Sequence, residues 1–170
     1  FTVKPGETHL DLGRVSIPSI TLPKVGDLAA DFELTGPYGS KSRLAALRGK
    51  YVLIDFWATW CDPCVAKLDD VERLRKEFRS DNGLVLIGAN LDSDLARARE
   101  FLKSKTLPWQ HALLGDWSST DVPRRYAVSS VPAYVLIDPE GRILANEYSL
   151  DKIELVLKAR GQGPQAAAIK

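Results

Sequence analysis

The chain has no methionine, two histidines and two cysteines in 170 residues, and each scarcity closes a class of function. Two cysteines three positions apart cannot build the framework of a disulfide-rich scaffold, so all thiol chemistry is confined to Cys61 and Cys64. Zinc takes four ligands, and only His9 and His111 could join the pair, neither at zinc-finger spacing. No thioether is available as a soft copper ligand. Charge of one sign is lacking too: Lys plus Arg number 23 against 22 for Asp plus Glu, a net charge of +1. Such a balance gives no field to gather nucleic acid or anionic lipid. No run approaches the roughly 20 apolar residues that a membrane-spanning helix requires, and no repeat or low-complexity tract occurs. No metal, cofactor, nucleic acid or membrane partner is therefore expected for this stretch of chain.

What is there suffices for one domain with an apolar core of its own. Residues 1–28 carry Pro5, Pro18 and Pro23 with Gly6, Gly13 and Gly26, and read as an extended lead-in or as the last strand of a preceding domain. The first residues do not have the form of a signal peptide. Starting at Phe1, the chain leaves room for a leader, an anchor or an upstream domain. From Asp31 the pattern turns regular: Asp31-Phe32-Glu33-Leu34 alternates, Gly36-Pro37-Tyr38-Gly39 turns, and residues 41–44 return as the partner of a β-hairpin. Residues 51–58 form a nearly unbroken apolar, β-prone run, the mark of a strand buried on both faces.

After the cysteines, Val65, Leu68, Val71, Leu74 and Phe78 recur at helical spacing, with Asp69/Arg73 and Glu72/Lys76 as ion pairs on the wet side. A second strand over 84–89, a second helix over 93–104 and a third strand over 133–137 follow. Asp138-Pro139-Glu140-Gly141 is a turn that returns residues 143–147 antiparallel. A last helix over 151–160 buries Ile153, Val156 and Leu157 and stops at Gly161, and residues 162–170 are expected to be a disordered tail. Strand, helix, strand, helix, strand, strand, helix is the order of an α/β sandwich, here with an N-terminal hairpin. One domain over 29–161 is expected.

A Cys-x-x-Cys where a buried strand meets an amphipathic helix has a physical consequence. The first cysteine sits where unpaired N–H groups and the helix dipole stabilise a thiolate, which lowers a thiol pKa from about 8.5 into the range of roughly 3.5 to 7.5. Cys61 is the candidate nucleophile, and Cys64, one turn on, is the candidate resolving thiol. Pro63 suits the first helical turn. Asp62 sets a negative charge beside Cys61, which disfavours its thiolate and inclines the pair toward the reducing side. Asp55, a carboxylate inside an apolar strand, is either a proton relay for Cys64, its pKa raised by burial, or a strand-end residue facing water.

Residues 52–64, Val-Leu-Ile-Asp-Phe-Trp-Ala-Thr-Trp-Cys-Asp-Pro-Cys, resemble the active-site signature of the thioredoxin superfamily. Residues 26–49, with Asp31-Phe32 and Leu47-Arg48-Gly49-Lys50, resemble the TlpA/ResA-like redoxin branch, as does the run 131–143. The resemblance covers about 26–160 and implies a thioredoxin-like three-layer sandwich. It also implies a thiol:disulfide oxidoreductase outside the cytoplasm that exchanges electrons with protein dithiol or disulfide substrates and with a recycling redox partner; with Asp62 beside Cys61 it is expected to act as a reductant, and a monomer is expected. By the same resemblance Pro132 is a cis proline facing the cysteines, the Val131 backbone pairs with an extended substrate, and Asp55 matches the buried carboxylate of thioredoxins. The chain departs from that pattern at Ala30, Lys67 and Asp69, where the family often has proline, glutamate and a helix-kinking proline.

Alternatives remain at the level of sequence. Trp57 and Trp60 read first as core and rim aromatics and second as platforms for substrate; Trp109, Trp117, His9 and His111 read as structural or surface residues and carry no assigned role. A thiol peroxidase would need threonine one position further from the cysteine than Thr59 stands from Cys61. A metallochaperone or plain interaction module would keep the fold without the exchange chemistry.

Overall fold

The computed structural model describes residues 22–78 and 83–161. Most of the expected lead-in (1–21) and the expected tail (162–170) lie outside the described residues. A five-stranded sheet runs in the order β5-β4-β3-β6-β7, built from β3 (Val52–Trp57), β4 (Val85–Asn90), β5 (Gln110–Leu113), β6 (Ala133–Ile137) and β7 (Ile143–Glu147). Strands β3, β4 and β5 are parallel, β6 is antiparallel to β3, and β7 is antiparallel to β6. A separate hairpin, β1 (Glu33–Thr35) with β2 (Lys41–Arg43), precedes them and leads into a 3-10 turn over Leu44–Leu47.

Alternation along the strands sorts the core into two layers. Ile54, Phe56, Ile87, Ala89, Ala133 and Val135 face the hairpin side, where Phe32, Leu34, Leu44, Val122 and Tyr126 cover them. Leu53, Leu86, Tyr134 and Leu136 face the other way, under Val71 and Leu74 of α2 (Leu68–Glu77) and Leu150, Ile153 and Leu157 of α5 (Leu150–Ala159). The crossovers β3 to β4 and β4 to β5 proceed in one direction, and right-handedness puts both sets of helices on one face. Accordingly Ala98 and Leu102 of α3 (Leu95–Ser104) pack with Trp57 of β3 and Leu113 of β5. The result is the α/β sandwich with an N-terminal hairpin expected above. Residues 26–29 run along the start of β7, with Gly26 N–H on the Ile143 carbonyl at 2.8 Å and Ala29 N–H on Gly141 at 2.9 Å.

Four features differ from the expectation. The edge strand β5 and the one-turn helix α4 (Val122–Arg125) lack a sequence signal: one has four residues that include Gln110 and His111, the other four with Pro123. The helix after the cysteines is broken at Lys67, whose φ of −93° and ψ of −4° separate α1 (Asp62–Ala66) from α2. Glu72 and Lys76 pair at 3.2 Å as expected, but Arg73 turns from Asp69 to Glu77 at 2.9 Å and to Glu154 of α5 at 3.0 Å.

Candidate active site

Strand β3 ends at Trp57, and Ala58-Thr59-Trp60 carries the chain to Cys61, the N-cap of α1. The turn closes through Cys61 N–H on the Ala58 carbonyl at 3.2 Å, and Pro63 occupies the first helical turn, where its missing N–H costs nothing. Cys61 and Cys64 are joined by a disulfide, with S–S 2.08 Å and Cα atoms 5.2 Å apart. The Cys64 N–H donates to Cys61 Sγ at 3.2 Å, so an N-terminal amide of the helix already points at the sulfur that would carry charge after reduction. Both cysteines are nearly covered, at 5% and 3% exposure, among Trp57, Ala58, Ala98, Leu102 and Leu113. Val131 packs against this cluster, and the Val131–Pro132 bond is cis. Trp60 stands out at the rim, 52% exposed.

Asp55 projects from β3 to the same face as Leu53 and Trp57, between the residue under α2 and the residue against the cysteines. Only 3% of it is exposed, which removes the water-facing alternative. Its strand neighbours are Gly88 on one side and Tyr134 on the other. Burial alone pushes its carboxyl up from 3.8 to about 7, so near neutral pH the group holds or releases a proton with equal ease. The Tyr134 phenol is pushed up as well, first by burial and then by the Asp55 and Asp70 carboxylates.

One polar group at the site has no counterpart in the sequence analysis. Asp92, 2% exposed just past β4, accepts Thr59 N–H at 3.0 Å, the Thr59 hydroxyl at 2.7 Å and the Asn90 amide at 2.6 Å. It ties the turn that presents Cys61 to the end of the neighbouring strand. The signal was the Asn90-Leu91-Asp92 alternation, polar groups directed inward at the close of an apolar run. The Thr59 hydroxyl proton is committed to Asp92. No group of three potential His, Cys, Asp or Glu metal ligands comes together among the described residues. Nor is any described helix long and apolar enough to cross a membrane.

Residues 25–146 match the model of the AhpC/TSA family. A thiol-disulfide oxidoreductase ResA of Oceanobacillus iheyensis is 31% identical over 140 residues, 77% of this chain and 70% of that protein. The ResA of Bacillus subtilis is 31% identical over 119 residues, 70% of this chain, and the match spans 64% of the length of that relative. Among solved structures, a thiol-disulfide oxidoreductase from Bacteroides fragilis superposes with a TM-score of 0.69 at 30% identity, covering 79% of this chain and 99% of that one.

Proposed function

The chain belongs to the AhpC/TSA family, in the ResA-like redoxin branch of the thioredoxin superfamily, and from that premise we propose that it is a thiol:disulfide oxidoreductase working through Cys61 and Cys64. The observation that carries the proposal is the Cys61–Cys64 disulfide at a strand-to-helix junction, with a helix N–H on Cys61 Sγ and a buried carboxylate on the strand beneath.

The reaction begins from the reduced pair. The Cys61 thiolate attacks a disulfide of a partner protein, forming a mixed disulfide and expelling one partner thiol. Cys64 then attacks Cys61 Sγ, closing the intramolecular disulfide and releasing the second partner thiol. The Cys64 proton must leave as its sulfur attacks, and Asp55, poised near 7, is the base that takes it. Val131 and Pro132 would align an extended segment of the partner beside the dithiol, with Trp60 as a platform at the rim. Two electrons pass to the partner, so a second redox protein must return the pair to the dithiol state. Exposed Asp62 beside Cys61 favours the reductant direction. The resemblance supports a thioredoxin-like domain over 29–161 that acts outside the cytoplasm, and the reading takes it as a monomer.

The test is disulfide reduction in a protein substrate such as insulin, with a small dithiol to recycle the enzyme. Wild type turns over and Cys61→Ser does not, whereas Cys64→Ser accumulates a mixed disulfide visible by mass. Equal turnover in wild type and Cys61→Ser would refute the assignment.

A further inference from the structure

The mechanism leaves a proton on Asp55 at the moment when a partner covers the dithiol, and the sheet offers a second way out. Asp55, Gly88 and His111 stand side by side on β3, β4 and β5, and paired residues project to one face. The residue between them, Gly88, contributes no side chain of its own. Three nitrogens close over that glycine: from the point where its Cβ would sit, His111 Nδ1 is 2.8 Å away and the indole nitrogens of Trp109 and Trp57 are each 3.1 Å away. His111 Nδ1 and Trp109 Nε1 are buried with no hydrogen-bond partner. Unpaired buried polar atoms of this kind are usually bridged by water or take part in function.

The other side of the same imidazole faces outward. His111, 9% exposed, lines a cavity of about 540 Å³ between the hairpin, the end of α3 and β5, together with Tyr38, Lys41, Lys103, Leu107 and Trp109. Its Nε2 lies 3.4 Å from the Leu107 carbonyl. With the Nε2 proton directed there, Nδ1 is a bare acceptor facing the interior.

We propose that His111 is the second station of the proton path, so that the proton received by Asp55 from Cys64 leaves through His111 into the cavity beside the hairpin rather than past the dithiol. This inference rests on the exchange reading above and extends it. Strands about 4.8 Å apart put the Asp55 and His111 backbones roughly 10 Å apart, and His111 closes part of that span by leaning over Gly88. One water that accepts from the otherwise unpaired Trp109 N–H, with its second lone pair toward Asp55 and a proton toward His111 Nδ1, would bridge the rest. The proton passes from Asp55 through that water to Nδ1, the Nε2 proton is released to cavity water, and exchange with solvent restores the starting tautomer. No electrons move in this leg.

The charges around the path are few. Tyr134 faces Asp55 from β6 and feels the Asp55 and Asp70 carboxylates, and the packed side chains of α3 and α5 are apolar. Lys41 and Lys103 line the outer cavity and oppose a lasting imidazolium. Burial likewise holds the His111 ring neutral, pushing its pKa down to about 4, as a relay that passes protons without storing them requires.

The experiment is single-turnover oxidation of the reduced protein by a saturating protein disulfide, followed from pH 6 to 9 in wild type, His111→Phe and His111→Ala. The expected result is a rate about tenfold lower at pH 7 in both variants, recovering toward high pH where hydroxide takes the proton directly. Free imidazole, able to enter the cavity, should restore His111→Ala saturably and leave wild type unchanged. Variants with the wild-type rate and pH profile would overturn the relay, as would variants slowed equally at all pH and indifferent to imidazole, which marks a packing role. If wild type itself does not turn over, the dithiol reading falls and takes the relay with it; normal wild-type turnover beside unaffected variants removes the relay alone.

Discussion

Replacing Asp55 with Asn should change how stability depends on pH, and its partner across the sheet makes the test sharp. Burial raises the Asp55 carboxyl from 3.8 to about 7. Between those values the folded state binds a proton that the unfolded state has lost, so this group makes stability fall as pH rises. Burial lowers His111 from 6.5 to about 4. Between these values the unfolded state is the one that binds the extra proton, so this group makes stability rise with pH. From pH 5.5 to 6.5 each contributes about 1 kcal/mol per pH unit with opposite sign, since one pKa unit corresponds to 1.36 kcal/mol. Wild type should therefore be nearly flat in this window. Asp55→Asn should gain about 1 kcal/mol per pH unit, and His111→Phe should lose about as much. Urea denaturation of the oxidised protein at pH 5.5, 6.0 and 6.5, with linear extrapolation, resolves slopes of this size. Parallel flat profiles in all three proteins would show that neither group is held away from its ordinary pKa, and the account of Asp55 as a proton carrier at neutral pH would go with them.

Three further substitutions probe the frame around the site. Asp92→Ala strands the Thr59 and Asn90 donors and should cost about 3 kcal/mol in urea denaturation while increasing proteolysis near Thr59; a loss under 0.5 kcal/mol would mean that the turn is held otherwise. Gly88→Ala places a methyl 2.8 Å from His111 Nδ1 and should lower Tm by about 6 °C, a loss of about 2 kcal/mol; an unchanged Tm would contradict the close approach of the three nitrogens. Leu74→Ala opens a void where α2 meets Leu53 and should cost about 3 kcal/mol by denaturation, with the midpoint redox potential unmoved; a shifted potential would show that the helix core reaches the dithiol.

Most of the frame was readable from residue patterns because it depends on burial. Strand β3 is buried on both faces and so is written as a continuous apolar run, and the single carboxylate interrupting it marks Asp55 for notice. Helices α2, α3 and α5 each bury one stripe. Strand β5 is short, lies at the sheet edge and takes its place through pairing with β4, which no local pattern records. The break at Lys67 falls where neither proline nor glycine announces it. Cys61, Cys64 and Asp55 lie within ten residues, so a linear pattern could hold them together. Asp92 and His111 reach the same neighbourhood only through β4 and β5. Gly88 was the trace of His111, a residue without a side chain in the middle of an apolar strand, required by the His111, Trp109 and Trp57 rings that close over it.

The central claim is that Cys61 and Cys64 form a reversible redox pair, and an equilibrium titration in buffers of stepped potential, read by thiol alkylation and mass, tests it most directly. The account predicts one two-electron transition with a midpoint between about −270 mV, the value of thioredoxin, and −120 mV, that of DsbA, lying toward the reducing end. A protein whose two cysteines stay unreactive at every potential, with no reversible transition, would contradict it.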